Sequence, residues 1–239
     1  MEKPSTMSCP IQQGGNTLTI PTPTVDYRKL RLSNLNSDTY KHLWLLLYWP
    51  VYGLLFLFVE RFYPVEHYTV MHCALDDLIP FCEWFLIPYL FWFVYLVGMH
   101  LYTLLYDIDS FTRMMKYIIL TYTITIVIYL FWPTCQELRP AAFERDNFLT
   151  RFIAGFYQFD TNTNVCPSIH VIGSLAVMEA GLWCKQLSKP WKAGFVIAAF
   201  LICISTVFMK QHSVLDIFAA IPICILGHFL FFRKEKDAC

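Results

Sequence analysis

Two stretches in the C-terminal half bring together the residue types needed for covalent phosphoryl transfer. One is Pro167-Ser168-Ile169-His170; the other runs from Ser205-Thr206 through Lys210-Gln211-His212 to Asp216. A neutral histidine nitrogen can attack phosphorus when a carboxylate on its other nitrogen fixes the tautomer and stabilises the cation that forms. His212 and Asp216 stand at i and i+4, a spacing that puts both on one face of a helix. His170 is the candidate acid, protonating the leaving alkoxide and then taking a proton from the attacking water. Pro167 suits the first turn of a helix, where free amides and the positive end of the dipole favour a phosphate. Ser168 adds a hydroxyl donor, and Arg139 and Lys210 supply charge for the phosphoryl oxygens. A single interfacial histidine is more often structural. A carboxylate inside an apolar run is rarer, because a charge at the bilayer centre costs roughly 2.5–3.5 kcal/mol on insertion scales.

The elements that must position these residues are membrane helices. The 239 residues are 56% hydrophobic, 18% aromatic and only 15% charged, where a soluble chain carries about 25% charged residues. The formal net charge of +0 leaves no basic surface for nucleic acid. Spans need roughly 20 apolar residues each, and six are expected: His42–Val59, Leu78–Tyr106, Tyr117–Pro133, Pro167–Leu187, Trp191–Met209 and His212–Phe232. The expected organisation is an all-α six-helix membrane domain over residues 42–232. A polar tail over 1–41, expected to be mobile to about Ser37, precedes it, and a short basic tail over 233–239 follows. The first apolar run begins too far from Met1 for a cleavable signal peptide, so it is read as an anchor.

Lys and Arg placement orients the map with both termini cytoplasmic. The inner segments hold Lys3, Arg28, Lys29, Arg31 and Lys41, then Arg113 and Lys116, then Lys185, Lys189 and Lys192, then Arg233, Lys234 and Lys236. The outer ones hold Arg61, Arg139, Arg145, Arg151 and Lys210. Arg139, the Ser168/His170 stretch and the Lys210/His212 turn then share the exoplasmic side. Within Asp146–Gln158, Phe148, Leu149, Phe152, Ile153, Phe156 and Tyr157 recur at helical spacing and read as an interfacial helix. Glu83, His100, Glu179 and His228 are expected to bond between helices or snorkel, Asp76 and Asp77 to cap the second span, and His67 and His72 to lie in loops. Most of the nine Cys read as small hydrophobes; Cys135 and Cys166 fall in one outer segment, where a disulfide between them is one reading.

These stretches resemble the type 2 phosphatidic acid phosphatase superfamily, whose signature is K-x-x-x-x-x-x-R-P, then P-S-G-H, then S-R-x-x-x-x-x-H-x-x-x-D. Arg139-Pro140 matches the end of the first part, Pro167–His170 the second, and Ser205 through His212 to Asp216 the third, with Trp132, Ile169 and Thr206 replacing Lys, Gly and Arg. The resemblance implies a six-helix architecture, His212 as phosphohistidine nucleophile, Asp216 as its orienter and His170 as general acid. It implies phosphate contacts from Arg139, Ser168 and Ser205, with Lys210 standing in for a missing cradle charge. No cofactor or metal is implied. The expected activity is a plasma-membrane lipid phosphatase acting at the outer leaflet; a lumenal endomembrane site is topologically equivalent. Headgroup phosphotransfer, as in the inositol phosphorylceramide synthase-like branch, and a non-catalytic lipid-phosphate binder or transporter remain alternatives.

Overall fold

The computed structural model describes residues 22–233. Residues 1–21 of the expected tail, and the basic stretch from Lys234 onward, lie outside the described residues. The described chain is mostly helical: α1 Tyr48–Arg61, α2 Ala74–Leu78, α3 Leu86–Tyr106, α4 Ile108–Phe131, α5 Phe148–Phe159, α6 Ile169–Trp183, α7 Lys189–Phe208 and α8 Val214–Phe231. An all-α reading omits one small element, a parallel pairing of β1 (Thr69–Val70) with β2 (Thr134–Cys135), in register Thr69 to Thr134.

Five helical segments are long and apolar enough to cross a membrane: Lys41–Arg61, Glu83–Tyr106, Ile108–Phe131, Lys189–Phe208 and Val214–Phe231. The segment expected to span from Pro167 to Leu187 is a shorter helix of 15 residues. At 1.5 Å per residue it is about 22 Å long. The reason lies before it: Asn164 to Ser168 are buried but not helical. Irregular backbone at that depth is tolerated where protein, not lipid, surrounds it. Two other boundaries move. Leu78 ends the separate helix α2 rather than opening the second span, and α4 begins at Ile108, not Tyr117, because the Asp107 side chain accepts the Ser110 amide and caps it there.

Helix α6 runs through the centre, packed on α3, α4, α7 and α8. Its inward positions are mostly small, with Gly173, Ser174, Ala176, Ala180 and Gly181 all buried, which lets neighbouring backbones approach closely. A Cβ on Gly173 would stand 2.5 Å from the Tyr122 hydroxyl, and one on Gly227 of α8 would stand 2.6 Å from the Tyr117 ring. Glu179 and His228 bridge α6 and α8 at 2.9 Å, as expected of intramembrane polar groups. His100 instead turns its Nδ1 to the Leu96 carbonyl of its own helix at 2.7 Å.

The N-terminal tail is docked from Thr24 on. The Thr24 amide donates to the Leu105 carbonyl, and the Tyr27 hydroxyl donates to the Leu104 carbonyl at 2.8 Å. At the opposite end of the bundle, the last turns of α1, α4 and α7 meet the first turns of α3, α6 and α8. Helix α5 lies across this end. Its Ile153 is buried with Leu86, Tyr89 and Met209, while Phe148 and Phe159 on the other side are exposed. Cys135 and Cys166 are buried and unbonded here, so the disulfide reading does not hold. The Cys166 amide donates to the Thr134 hydroxyl at 3.0 Å.

The two crowded and uncrowded glycine sites give a clean comparison. Gly227→Ala should lower the thermal midpoint in detergent, costing about 1–3 kcal/mol for an overpacked contact. Gly98→Ala, whose Cβ meets nothing within 4 Å, should leave the midpoint unchanged or raise it, since Ala gains roughly 0.5–1 kcal/mol over Gly within a helix. Equal effects of the two substitutions would contradict the packing.

Candidate active site

The turn from α7 to α8 is built by competition for carbonyls. The Gln211 and His212 amides both donate to the Thr206 carbonyl, at 3.0 and 3.1 Å, and Lys210 takes a left-handed φ of 53° to let the chain reverse. Helix α8 does not start until Val214, so His212 is not a helical residue. The pairing with Asp216 therefore does not come from a shared helix face. It comes from the helix cap: Ser213 is the N-cap, and Asp216 in the first turn reaches back. The Asp216 Oδ2 accepts the Ser213 amide at 3.1 Å and lies 3.0 Å from His212 Nδ1. A carboxylate only accepts, so Nδ1 carries the hydrogen and the lone pair sits on Nε2.

His170 occupies the first turn of α6, two residues after its N-cap Ser168. Its ring lies against Tyr89, with centroids 4.4 Å apart, and against Trp92, at 4.5 Å. The His170 and His212 centroids are 5.7 Å apart with planes at 66°. The two helix starts are tied directly, since the Ser168 amide donates to the Asp216 carbonyl at 3.2 Å. The Tyr129 hydroxyl donates to the Pro167 carbonyl at 2.6 Å and fixes the segment before α6 from the α4 side. His170 Nδ1 is sealed without a partner. Among the described residues neither Nε2 is bonded, and both rings line a cleft of about 250 Å³.

The structure thus brings His170, His212 and Asp216 together. It does not bring the four expected phosphate ligands, none of which lines the cleft. The Ser168 hydroxyl accepts the Val171 amide at 3.4 Å as a helix cap. The Ser205 hydroxyl donates to the Ile202 carbonyl of its own helix at 2.6 Å. Lys210 sends Nζ to the Asp76 carbonyl at 2.7 Å; burial lowers its pKa, and Asp76 and Asp77 oppose that shift. Arg139 donates to the Gln211 side chain at 2.9 Å and to the Tyr157 and Asp160 carbonyls at 2.9 and 2.5 Å. Its guanidinium lies 4.4 Å above the Tyr157 ring. Burial lowers its pKa and Asp160, Tyr157 and Tyr89 raise it, but a guanidinium remains charged throughout. These cations staple loops.

Other residues take the places around the histidines. The Tyr89 hydroxyl donates to Asp160 Oδ2 at 2.6 Å, and the Gln211 amide donates to the same oxygen at 2.9 Å. Asp160 therefore links the ring under His170 to the residue before His212. Glu60, at the end of α1, accepts from the Thr161 and Thr163 hydroxyls on Oε2, at 2.5 and 3.0 Å, and from the Asn164 amide on Oε1 at 2.7 Å. Arg61 follows it, lines the cleft, and has no ion pair or hydrogen bond among the described residues. The sequence marks Arg61 only as one of the outer-segment charges. Its position at the mouth follows from the docking of α1 through Glu60, which nothing local in the sequence marks. Among the described residues no group of three His, Cys, Asp or Glu side chains is placed to hold a metal ion.

Asp76 was expected to cap the second span. It caps α2 through the Cys73 amide at 2.8 Å, and it also caps α8: its carboxylate accepts the Ser213 hydroxyl at 2.6 Å and the Val214 amide at 2.8 Å. Burial alone would raise its pKa, but these donors outweigh it and hold the carboxyl below its ordinary value. Helix α3 is prefaced instead by the short turn Glu83–Phe85, whose buried Glu83 carboxylate meets Arg145 at 3.2 Å and the Asn147 amide at 3.1 Å.

No family model, curated protein or solved structure matches the chain. The site therefore stands on its own geometry.

The Asp76 cap gives a pH test. Its folded pKa is depressed, so its stabilisation is fully present above the unfolded value, near 3.9, and is lost as pH falls through the folded value. Asp76→Asn should lower the thermal midpoint at neutral pH by the equivalent of about 1–3 kcal/mol. The gap from wild type should be constant above about pH 5 and shrink as the pH falls below about 4. A gap that widens on acidification would contradict the assignment.

Proposed function

We propose that this protein is a multi-pass membrane enzyme that cleaves a lipid phosphate ester through a phosphohistidine on His212. The observation that carries the reading is one cleft holding two histidine rings 5.7 Å apart, one of them backed by a buried carboxylate. The His212 Nε2 lone pair attacks phosphorus, and the bond to the lipid alkoxide breaks as His170 protonates that oxygen. Water then attacks the phosphohistidine, returns a proton to His170, and releases phosphate. Asp216 stabilises the positive charge on His212 in both steps.

The cleft shape supports a lipid substrate. Its lining combines the apolar Gly53, Phe56, Leu57 and Phe159 with the polar Asp160, Thr161, Thr163, Asn164 and Gln211. Leu57 and Phe159 are exposed at its edge, where acyl chains would lie. In this reading α6 with its buried Asn164–Ser168 lead is the sixth span, the termini are cytoplasmic, and the cleft faces the outer leaflet of the plasma membrane or a lumen. Arg61 replaces Arg139 and Lys210 as the cation nearest the phosphate. A second reading, headgroup phosphotransfer to an alcohol, shares the covalent histidine step and is favoured by the same apolar lining residues, which can also hold an acceptor lipid. A binder or transporter would have no need of the histidine pair.

Kinetics with two leaving groups separates the roles. With a lipid phosphate, His212→Ala and His170→Ala should both lose activity, His170→Ala by about 10²–10⁴-fold. With a nitrophenyl phosphate ester, whose leaving group needs no proton, His170→Ala should give a stoichiometric burst of nitrophenol and then stall, while His212→Ala should give none. Both variants should elute as folded protein. Full turnover by folded His212→Ala would remove the mechanism.

A further inference from the structure

The two histidines of the cleft are held in different ways. His212 is turned by a carboxylate on its Nδ1, whereas His170 Nδ1 is sealed with no partner. Among the described residues no hydrogen bond sets the rotation of the His170 ring, so the surfaces packed on it must. Two rings of α3 supply them. Tyr89 lies 4.4 Å away, centroid to centroid, with planes 34° apart, and Trp92 lies 4.5 Å away at 48°. These two stand at i and i+3, on one face of their helix. Trp92 also lies against the next turn of α6, where a Cβ on Gly173 would come 3.1 Å from its indole nitrogen. Tyr89 is fixed at its far end. It is fully buried, its ring meets Phe156 of α5 at 5.8 Å, and its hydroxyl donates to Asp160 Oδ2 at 2.6 Å. Asp160 directly follows α5, and the same oxygen accepts the Gln211 amide at 2.9 Å. Its charge is answered by Arg139, whose guanidinium donates to the Asp160 carbonyl at 2.5 Å and to Gln211 Oε1 at 2.9 Å. One cation thus stands against one anion in this group, and what remains for it to do is to hold geometry.

Resting on the phosphohistidine reading, we propose that Tyr89, anchored by Asp160, is the positioning residue of the general acid: it sets the His170 ring so that Nε2 points at the leaving oxygen. A general acid works only within hydrogen-bond reach of the oxygen it protonates, and a displacement of about 1 Å can cost roughly 10²-fold in rate. As the bond from His212 Nε2 to phosphorus forms and the bond from phosphorus to the lipid oxygen breaks, that oxygen takes the proton from His170 Nε2. A ring that swings or slides on its helix would miss it. The Tyr89 hydroxyl pins the ring of Tyr89, and stacking passes the constraint to His170. Because Asp160 also holds Gln211, the residue before His212, the acid and the nucleophile are referred to one carboxylate and their separation is fixed by it.

The test uses Tyr89→Phe, which removes one hydroxyl and keeps the ring, in the full chain in neutral detergent. Two substrates are compared in the same preparation: a lipid phosphate, whose alkoxide needs the acid, and a nitrophenyl phosphate ester, whose leaving group does not. Rates are normalised to the amplitude of the nitrophenol burst, which counts folded sites. Tyr89→Phe should lower kcat for the lipid by about tenfold to 10²-fold, leave KM unchanged, and leave the rate of the nitrophenol burst at the wild-type value. In a His170→Ala background the same substitution should change lipid turnover no further, since it acts through the histidine already removed. A burst slowed as much as lipid turnover, a loss that multiplies that of His170→Ala, or a lipid kcat that does not move would each overturn the positioning role and leave the phosphohistidine standing. If the wild type gives no burst that depends on His212, the phosphohistidine reading falls with it.

Discussion

The carboxylate of Asp216 at the start of α8 is the contact on which the arrangement depends. A buried carboxylate is costly unless donors surround it, and a helix N-terminus supplies them with a favourable dipole. Asp216 accepts the Ser213 amide and faces His212 Nδ1 with the same oxygen. One group thus closes the helix cap and sets the tautomer and direction of the histidine before it. Asp76 completes the structure from outside by taking the Ser213 hydroxyl and the Val214 amide. Two carboxylates therefore hold one helix start, and the turn carrying His212 has little freedom left.

The second histidine is placed by the same kind of element. His170 rides the first turn of α6, and the Ser168 amide, on the cap of that helix, donates to the Asp216 carbonyl. Two helix N-termini meet side by side at one cleft, so their dipoles add where an anion is proposed to bind. That electrostatic help accompanies a redeployment of cations. Arg139 holds the segment from Tyr157 to Asp160 against Gln211, and Lys210 holds α2 against the turn. The price is a cleft with only Arg61 as a free cation among the described residues.

Much of the core of the site was legible from sequence because it is local. Serine and aspartate three apart, Ser213 and Asp216, mark a helix start, and Ser168 before His170 marks another. The apolar runs likewise located five long helices, with boundaries displaced where caps such as Asp107 act. Local sequence carries no signal where long-range contacts decide. A helical i, i+4 face was inferred for His212 and Asp216, whereas the contact arises from a cap with His212 outside the helix. Arg139 and Lys210 have the right charge for phosphate, but carbonyls 18 to 134 residues away claim them. Glu60, Arg61, Tyr89 and Asp160 carry no local signature; they reach the cleft only because α1, α3 and the segment after α5 converge on α6.

The most direct measurement is a rapid acid-free quench of the full chain during turnover of a lipid labelled at phosphorus, followed by peptide mapping. The expected result is label bound to protein, stable in base and lost in acid, on the peptide containing His212 and nowhere else. Turnover that proceeds with no protein-bound phosphorus, or with label on a serine or a carboxylate, would contradict the account.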